Sequence, residues 1–336
     1  MKKDKKDIKN RKNKKLSILK FIGIFIGFQF CFALVTMPAL VFYGPFDNIK
    51  KTIVGMSWNS GNHQYISRFF LSLDAIHRIL GSGYASSVIQ DSEKINVLKF
   101  KNSHSNRIEV YNIDGGTFKG KMMVVDDPTS VKVGCSTRIP TAGETTSVIS
   151  KRNKAVAAIN AGGFNDKGMT GTGGAPMGFI IHDGKVLYNT GGTQSKRDTV
   201  AFTDQGMLIV GKHSIEQLKQ YGVKEAVSFG PPIIVNGKPT IESGDGGWGI
   251  APRTAIGQTE DGKVLMLTID GRRIGSLGAS IRDVQDIFLQ YKAVNATNLD
   301  GGSSTTMFFD GKVINHPSDS LGERAVPTIF MVIQNN

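Results

Sequence analysis

The chain has 336 residues, of which 40 are glycine and 40% are hydrophobic, so it is long enough to bury a sizeable core and is not globally disordered. The net charge of +13 is uneven, because residues 1–20 hold ten Lys or Arg against two Asp, which places +8 of the total there. This basic tail is explained more simply by the apolar segment that follows than by nucleic-acid binding, so no nucleic-acid partner is expected.

Residues 21–43 contain no charged side chain and are long enough to cross a bilayer as a helix. We interpret them as a membrane anchor. The basic flank predicts that residues 1–20 are a cytoplasmic tail and that the chain from Gly44 onward is extracellular, in a single-pass protein of the cell membrane. The competing interpretation is a cleaved signal peptide, but the apolar run is longer than a typical signal core and no small-x-small cleavage site follows it.

Residues 44–95 are predicted to be a linker and a helical stalk or lid. Residues 45–57 have the character of a linker, and apolar side chains recur at helical spacing from Ser67 to Leu80. The alternative is that this helix merely packs on the main domain.

Residues 96–336 are predicted to form the main domain, of α+β class. Four Asp-Gly or Asn-Gly pairs separate apolar segments and indicate tight hairpins, since these residues tolerate positive φ. Helices are expected after Ser214 and after Ser280, which forms a capping box with Asp283. Regular β-α-β alternation is absent, so we expect a mixed, largely antiparallel sheet with flanking helices. The hairpin pairs begin at Asp183, Asn236, Asp261 and Asp310.

Cofactor signatures are absent from the sequence. The two cysteines do not favour an internal disulfide, because Cys31 lies in the predicted span and Cys135 in the main domain. No Cys-x-x-Cys pair or histidine cluster suggests a zinc site. The Gly-rich stretch at residues 171–178 lacks both the dinucleotide spacing and the P-loop ending, so no nucleotide cofactor is expected.

The run from Asn298 to Thr306 concentrates an acid, an amide, two glycines and four hydroxyls in one turn. Its apolar flanks suggest that the turn is held between buried elements, where unpaired polar groups are costly. We therefore expect it to face a ligand. No Gly-x-Ser-x-Gly elbow surrounds the serines, which favours hydrogen bonding over a nucleophilic role.

Other polar or Gly-rich segments supply arginines that suit a phosphate and carboxylates that suit glycoside cleavage, although spacing does not show that they converge. Asp-Gly pairs also form ordinary turns, and Glu323-Arg324 also fits an exposed ion pair. Trp248 fits either a sugar platform or a cap on an apolar cluster, and His316 is the histidine to test for catalysis. The arginines are Arg253, Arg272, Arg273 and Arg324, and the carboxylates are Asp245, Asp270, Asp300 and Glu323.

Six motifs occur in order along the domain. They are Asn160-Ala-Gly-Gly-Phe164, Pro176-Met-Gly178, Arg253-Thr-Ala-Ile-Gly257, Asp270-Gly-Arg272, the run from Asn298 to Thr305, and Glu323-Arg324. Together they resemble the phosphodiester glycosidase family over about residues 120–335. Residues 62–65, the anchor and residues 226–231 resemble its membrane-anchored, exopolysaccharide-related branch in Gram-positive bacteria. The resemblance implies hydrolysis of the bond between a sugar's anomeric carbon and a phosphodiester oxygen.

Within this resemblance, Asp300 and Asp270 are predicted to act as acid, base or nucleophile together with Glu323, and Arg253 and Arg324 to hold the phosphate. The expected substrate is a glycosyl-phosphate polymer or other carbohydrate of the cell surface, and no cofactor is required. A calcium or magnesium ion on Asp245, Asp270 or Asp300 is a further hypothesis. The alternative is a non-catalytic factor that binds polysaccharide or a teichoic-acid-like polymer. The other predicted substrate-binding residues are Asn160, Gly162, Gly163, Asp245, Arg272, Asn298, Gly301, Gly302, Ser303, Ser304 and Thr305.

Overall fold

The structure is a computed structural model that describes residues 2–59, 64–81, 90, 105–165 and 172–334. The predicted domain boundary at residue 96, residues 62–63 and Gly171 lie outside the described residues, so the boundary stays a prediction. The N-terminal region contains helices α1 (Lys2–Tyr43), α2 (Asp47–Asn59), α3 (Gln64–Phe70) and α4 (Leu73–Gly81).

The basic tail and the apolar segment form one continuous helix, α1. Its part Lys20–Tyr43 is long and apolar enough to cross a membrane, a property shared by anchors and signal sequences. The predicted linker at residues 45–57 is wrong, because most of it lies in helix α2. The predicted helix at residues 67–80 is two helices, α3 and α4, which are interrupted at residues 71–72.

The end of α1 packs into a small helical cap, which we define as α2–α4 together with the last turn of α1. Phe42 is buried there and stacks on Phe70 with ring centroids 4.5 Å apart. Val54, Ile76 and Leu80 complete this cluster. The cap is therefore held to the C-terminal end of the apolar helix by its own hydrophobic core.

The main domain contains three large sheets, and every strand pair within them is antiparallel among the described residues, which confirms the predicted α+β class. The first sheet runs in the order β1 (Ile108–Asp114), β2 (Lys119–Val125), β16 (Val264–Ile269), β15 (Arg253–Thr259), β17 (Ala293–Leu299), β13 (Pro232–Val235) and β14 (Lys238–Pro239). The second runs β11 (Leu208–His213), β10 (Arg197–Thr203), β12 (Val223–Ser228), β8 (Phe179–His182) and β9 (Lys185–Asn189). The third runs β19 (Lys312–Val313), β18 (Met307–Phe309), β5 (Ala157–Asn160), β21 (Thr328–Val332) and β3 (Val131–Cys135). Two short pairs join β4 (Glu144–Thr145) to β20 (Ala325–Val326), and β6 (Phe164–Asn165) to β7 (Ala175–Pro176).

The three sheets share one core, and each carries a helix on its outer face. Helix α5 (Thr146–Arg152) covers the third sheet, α6 (Ile215–Gln220) the second and α7 (Ile281–Gln290) the first. Strand β16 shows the consequence: Met266 points into the shared core, while Leu265 and Leu267 pack beneath α7. Both faces of the strand are covered, which explains its nearly continuous apolar sequence.

The predicted hairpin turns are confirmed. Asp183-Gly184, Asn236-Gly237 and Asp310-Gly311 each connect two strands directly, and all six residues have positive φ, between 48° and 81°. Asp261-Gly262 lies in a longer turn between β15 and β16, where Gly262 alone of the pair has a positive φ, of 91°. These local signals fix much of the strand register.

The capping box of α7 yields a stability prediction. The Ser280 side chain accepts from the backbone N–H of Asp283, and the Asp283 carboxylate accepts from the backbone N–H of Ser280. We expect Ser280→Ala to lower the free energy of unfolding by about 1 kcal/mol. Chemical denaturation measures this, with Ser195→Ala, at an exposed loop position, as the control. Equal stability of the two variants would show that the cap does not hold α7 in place.

Candidate active site

The turn that carries Asp300 lies between β17 and β18, where the first and third sheets meet. The Asp300 carboxylate accepts hydrogen bonds from the Ser304 side chain and the Gly301 N–H, and it interacts electrostatically with Arg324. These contacts favour the ionised form, but desolvation by burial outweighs them and raises the pKa of Asp300 to about 6. A carboxyl that titrates near neutral pH is suited to proton transfer.

Asn160 holds this turn in place from the end of β5. Its Nδ2 donates to the backbone carbonyl of Asp300 at 2.5 Å. Its Oδ1 accepts from the Thr254 hydroxyl at 2.7 Å and from the backbone N–H of Thr306 at 3.0 Å. Asn160 is fully buried. These contacts give its amide a positioning role within the protein, and the predicted hydrogen bond to a sugar stays a prediction.

Asp270 lies at the end of β16 and is connected to the same turn through Asn315. The Asp270 carboxylate accepts from the backbone N–H of His316 at 2.9 Å and from Asn315 Nδ2 at 3.4 Å. Asn315 Nδ2 also donates to the Thr305 carbonyl at 3.1 Å, and its Oδ1 accepts from the Met307 N–H at 2.8 Å. The sequence interpretation missed Asn315 and singled out the adjacent His316, whose backbone N–H rather than its ring makes the contact with Asp270.

Two arginines approach the turn after Asp300. Arg324 donates to the Ser303 hydroxyl at 2.8 Å, and its guanidinium lies 5.1 Å from the centroid of the Phe164 ring. A guanidinium nitrogen of Arg272 lies 3.4 Å from the position that a Cβ on Gly302 would occupy. Gly302 has a φ of 61°, so glycine suits both the backbone conformation and this close approach. The structure thus brings Asp300, Ser303, Arg272 and Arg324 together, as a single anionic ligand would require.

Arg253 occupies a different environment from the one predicted. Its Nε donates to the Ala279 carbonyl at 2.9 Å, and its Nη2 donates to the carbonyls of Trp248 and Gly249. Burial lowers its pKa to about 10, so it remains charged at neutral pH. Trp248 packs partly against the cluster beneath α7 and edge-on to Phe229. Arg253 therefore ties residues 244–252, which we call the Gly-rich loop, to the domain. A direct contact of Arg253 with phosphate stays a prediction.

Glu323 and Asp245 both have structural partners. Glu323 Oε2 accepts from the backbone N–H of Ser147, at 2.9 Å, in the first turn of α5. Asp245 Oδ1 accepts from the backbone N–H of Gly247 at 2.8 Å within its own loop. Each carboxylate thus stabilises a local backbone conformation. The catalytic role of Glu323 and the substrate contact of Asp245 stay predictions.

The two glycines after Asn160 lie on the path from β5 to β6. The Gly162 N–H donates to the Thr328 hydroxyl at 3.0 Å, and the Gly163 carbonyl accepts from the Met177 N–H at 2.9 Å. Their polar backbone atoms thus connect this loop to β21 and to the segment after β7.

Asn298 and Thr305 flank the turn and are each 1% exposed. Asn298 Nδ2 donates to the Gly230 carbonyl at 3.3 Å. Asn298 Oδ1 and Thr305 Oγ1 form no hydrogen bond within the part of the chain that the structure describes. Buried polar atoms are usually paired, so these two are consistent with the predicted contact of this run with a polar ligand.

The residues that the structure describes include no clear set of metal ligands. Within the described ranges, no three His, Cys, Asp or Glu side chains are grouped so that they could hold an ion. The Asp270 carboxylate is bound by amide groups and Asp245 lies in its own turn. The hypothesis of a calcium or magnesium ion stays untested.

The chain belongs to the phosphodiester glycosidase family, because the sequence model of that family matches residues 153–333. The chain is 32% identical over 211 residues to the SPbeta prophage-derived uncharacterized protein YomE of Bacillus subtilis (strain 168), which covers 60% of this chain. It is 26% identical over 164 residues to the Mus musculus N-acetylglucosamine-1-phosphodiester alpha-N-acetylglucosaminidase, which covers 44% of this chain. This chain spans 31% of each of those two proteins.

A solved structure supports the same assignment. The fold is similar to that of the catalytic domain of the zebrafish enzyme of the same name, auto-inhibited by its pro-peptide. The TM-score is 0.58 at 26% sequence identity, and the match covers 70% of this chain and 86% of the zebrafish chain.

The positioning role of Asn160 can be tested by measuring the free energy of unfolding. Asn160→Ala leaves the Thr254 hydroxyl, the Thr306 N–H and the Asp300 carbonyl without their shared partner, so we expect a loss of about 2–4 kcal/mol in the free energy of unfolding. Chemical denaturation of the full chain in detergent measures it. Asn112→Ala is the matched control, since Asn112 is exposed on β1 and bonds to Lys121. A loss for Asn160→Ala no larger than that of the control would contradict the positioning role.

Proposed function

We propose that this protein is a membrane-anchored, extracytoplasmic hydrolase that cleaves sugar-1-phosphodiester linkages in a cell-surface glycopolymer. Membership of the phosphodiester glycosidase family supports the reaction class. The apolar helix Lys20–Tyr43 and its basic flank support the anchor, with the N-terminus in the cytoplasm. The mouse relative is named for N-acetylglucosamine 1-phosphodiesters, which makes this sugar the first to test.

The observation that carries the proposal is the near-neutral pKa of Asp300 in a turn approached by two arginines. In the proposed reaction, water attacks the anomeric carbon and the bond to the phosphodiester oxygen breaks. The bond's electron pair leaves with the phosphate as a phosphomonoester, and the proton of the water passes to Asp300. A phosphomonoester with a second pKa of about 6 leaves more readily than a sugar hydroxyl, so the base is needed more than an acid.

Arg324 and Arg272 are proposed to bind the phosphate. Arg324 already donates to Ser303 in the turn after Asp300, and Arg272 lies against Gly302 in the same turn. Two guanidinium groups at one turn favour two-point binding of a phosphodiester and would stabilise the second negative charge that develops as the bond breaks.

Asp270 is proposed to support this arrangement through Asn315. Its carboxylate binds the Asn315 amide and the His316 backbone, and the same amide reaches the Thr305 carbonyl. The sugar-release assay used for Asp300 also tests a catalytic role for Asp270 or Glu323. The same assay tests the need for a divalent ion. Activity that is lost in chelator and restored by calcium or magnesium would add the ion to the mechanism.

Asp300→Asn tests the central residue. Release of free sugar from methyl N-acetylglucosamine 1-phosphate by the full chain in detergent is expected to fall by about a thousandfold or more. Because the acting form is the ionised carboxylate, wild-type kcat/KM should fall as the pH drops below about 6, the pKa given for Asp300. The residual kcat/KM of the variant should not show this decrease, because an Asn side chain does not ionise.

Asp310→Asn is the matched control, because Asp310 is exposed in a hairpin turn with positive φ that Asn also accepts. It should retain wild-type rates. If Asp300→Asn is as active as this control, Asp300 has no part in the chemistry. Saturable binding of the substrate without any release of sugar by the wild type would instead support the non-catalytic alternative.

Arg324→Lys tests phosphate binding. Lysine keeps the positive charge but loses the planar fork, so we expect kcat/KM to fall by about ten- to a hundredfold. Arg107→Lys is the control, since Arg107 is exposed just before β1 and pairs with Glu109. Unchanged kinetics in Arg324→Lys would remove Arg324 from substrate binding.

A further inference from the structure

Two tight turns of the main domain expose a large apolar side chain at their tips. In the turn formed by residues 271–278, Ile274 is 102% exposed and Leu277 is 61% exposed. In the turn formed by residues 318–322, Leu321 is 93% exposed. Single exposed apolar residues are ordinary on protein surfaces, so their meaning depends on what surrounds them.

Both turns are held firmly at their bases. Arg273 and Ser276 pair their backbones, and the Ser276 hydroxyl donates to the Asp270 carbonyl at 2.7 Å. In the second turn, Asp319 pairs with Gly322, and Asp319 Oδ1 accepts from the Leu321 N–H at 3.0 Å. The backbone on which these apolar side chains stand is therefore fixed by hydrogen bonds in both turns.

The two turns flank the same point of the candidate active site. Arg272, at the start of the first turn, lies against Gly302. Ser318, at the start of the second turn, donates from its hydroxyl to the Gly302 carbonyl at 3.3 Å. We call these two turns the rim of the site. Both turns with exposed apolar tips thus contact Gly302, in the turn that carries Asp300.

The first rim turn is positive beside its apolar tip, whereas the second rim turn carries Asp319. Arg272 and Arg273 are both exposed and directly precede Ile274. An exposed apolar side chain next to an arginine matches the interface of a bilayer, where Ile274 would enter the acyl boundary and the Arg273 guanidinium would contact lipid phosphates. An anionic lipid surface therefore fits the apolar tip and the positive charge of the first rim turn.

A continuous series of contacts connects the rim to the helix that follows the apolar segment. In α2, a Cβ on Gly55 would lie 2.5 Å from the Gly247 carbonyl, and the Thr52 carbonyl lies 3.0 Å from the Cβ position of Gly249. In the same Gly-rich loop, the Pro252 carbonyl accepts from the Gly302 N–H at 2.9 Å. One loop therefore separates α2, the first helix after the proposed anchor, from the turn that both parts of the rim contact.

We propose that the rim docks onto the anionic surface of the membrane that holds the anchor, so that the active site opens at the level of the lipid headgroups. This proposal rests on the anchoring proposed above. It narrows the substrate to a glycosyl phosphodiester that is linked to a lipid or held at the membrane surface. A polymer far from the bilayer would not reach a site in this position.

The test places an environment-sensitive fluorophore on the rim of the full chain. Ile274→Cys and Leu321→Cys are labelled in a Cys31→Ser background, and burial raises the pKa of the Cys135 thiol to about 12, which keeps it unreactive at neutral pH. Leu187→Cys is the control, because Leu187 is exposed on the edge strand β9. The proteins are reconstituted into vesicles of phosphatidylcholine, or of equal parts phosphatidylcholine and phosphatidylglycerol, containing nitroxide-labelled lipids.

Quenching by nitroxide lipid is expected to be at least about twofold stronger at positions 274 and 321 than at 187, and stronger in the anionic vesicles. Arg273→Glu should remove the preference for anionic lipid. Rim quenching equal to that at position 187 would overturn the proposal, and so would rim quenching that is independent of lipid charge.

Resistance of the chain to alkaline carbonate extraction reports the anchor separately. If carbonate releases the chain, the anchoring proposal fails, and the same quenching measured with added vesicles still decides whether the rim binds lipid. None of these measurements depends on hydrolysis, so their outcome is independent of the assignment of Asp300.

Discussion

The amide of Asn160 is the interaction on which the geometry of the site depends. It is the point where three parts of the fold meet: β5 in the third sheet, Thr254 of β15 in the first sheet, and the turn that carries Asp300. Because the amide is fully buried, none of its partners can be replaced by water without a shift in structure. The two sheets are thus fixed relative to each other at the position where the Asp300 carboxyl lies.

Burial of Asp300 follows from the same arrangement. A turn held between two sheets is poorly solvated, and this desolvation is the main cause of the raised pKa. Donors from Ser304 and Gly301 limit the increase, so the carboxyl still ionises near neutral pH. The fold therefore sets the protonation of Asp300 through the balance between burial and a few short contacts, and Asn160 keeps that balance constant by fixing the backbone.

Sequence patterns predicted the features that depend on neighbouring residues. The Asp-Gly and Asn-Gly hairpins, the helix start at Ser214 and the capping box at Ser280 arise from local backbone chemistry, and the structure contains them. Asn315 was missed because a single Asn after apolar residues carries no local signal. Arg253 shows the same limit, because nothing in its own motif reveals that it binds the carbonyls of Trp248, Gly249 and Ala279. The misread linker at residues 45–57 shares this cause: helix α2 packs on a loop about 200 positions further along the chain.

That contact makes the region after the apolar helix part of the site's support. Arg253 donates to a backbone carbonyl of the Gly-rich loop, and α2 packs on the same loop at Gly55. Pro252 connects this loop to Gly302 through a backbone hydrogen bond. A displacement of α2 relative to the domain would therefore be transmitted to the turn after Asp300 through backbone contacts with little space to relax. Helix α2 begins within a few residues of the apolar helix and packs against the loop beside the candidate active site. It therefore links the end of the apolar helix to the geometry of the turn that carries Asp300.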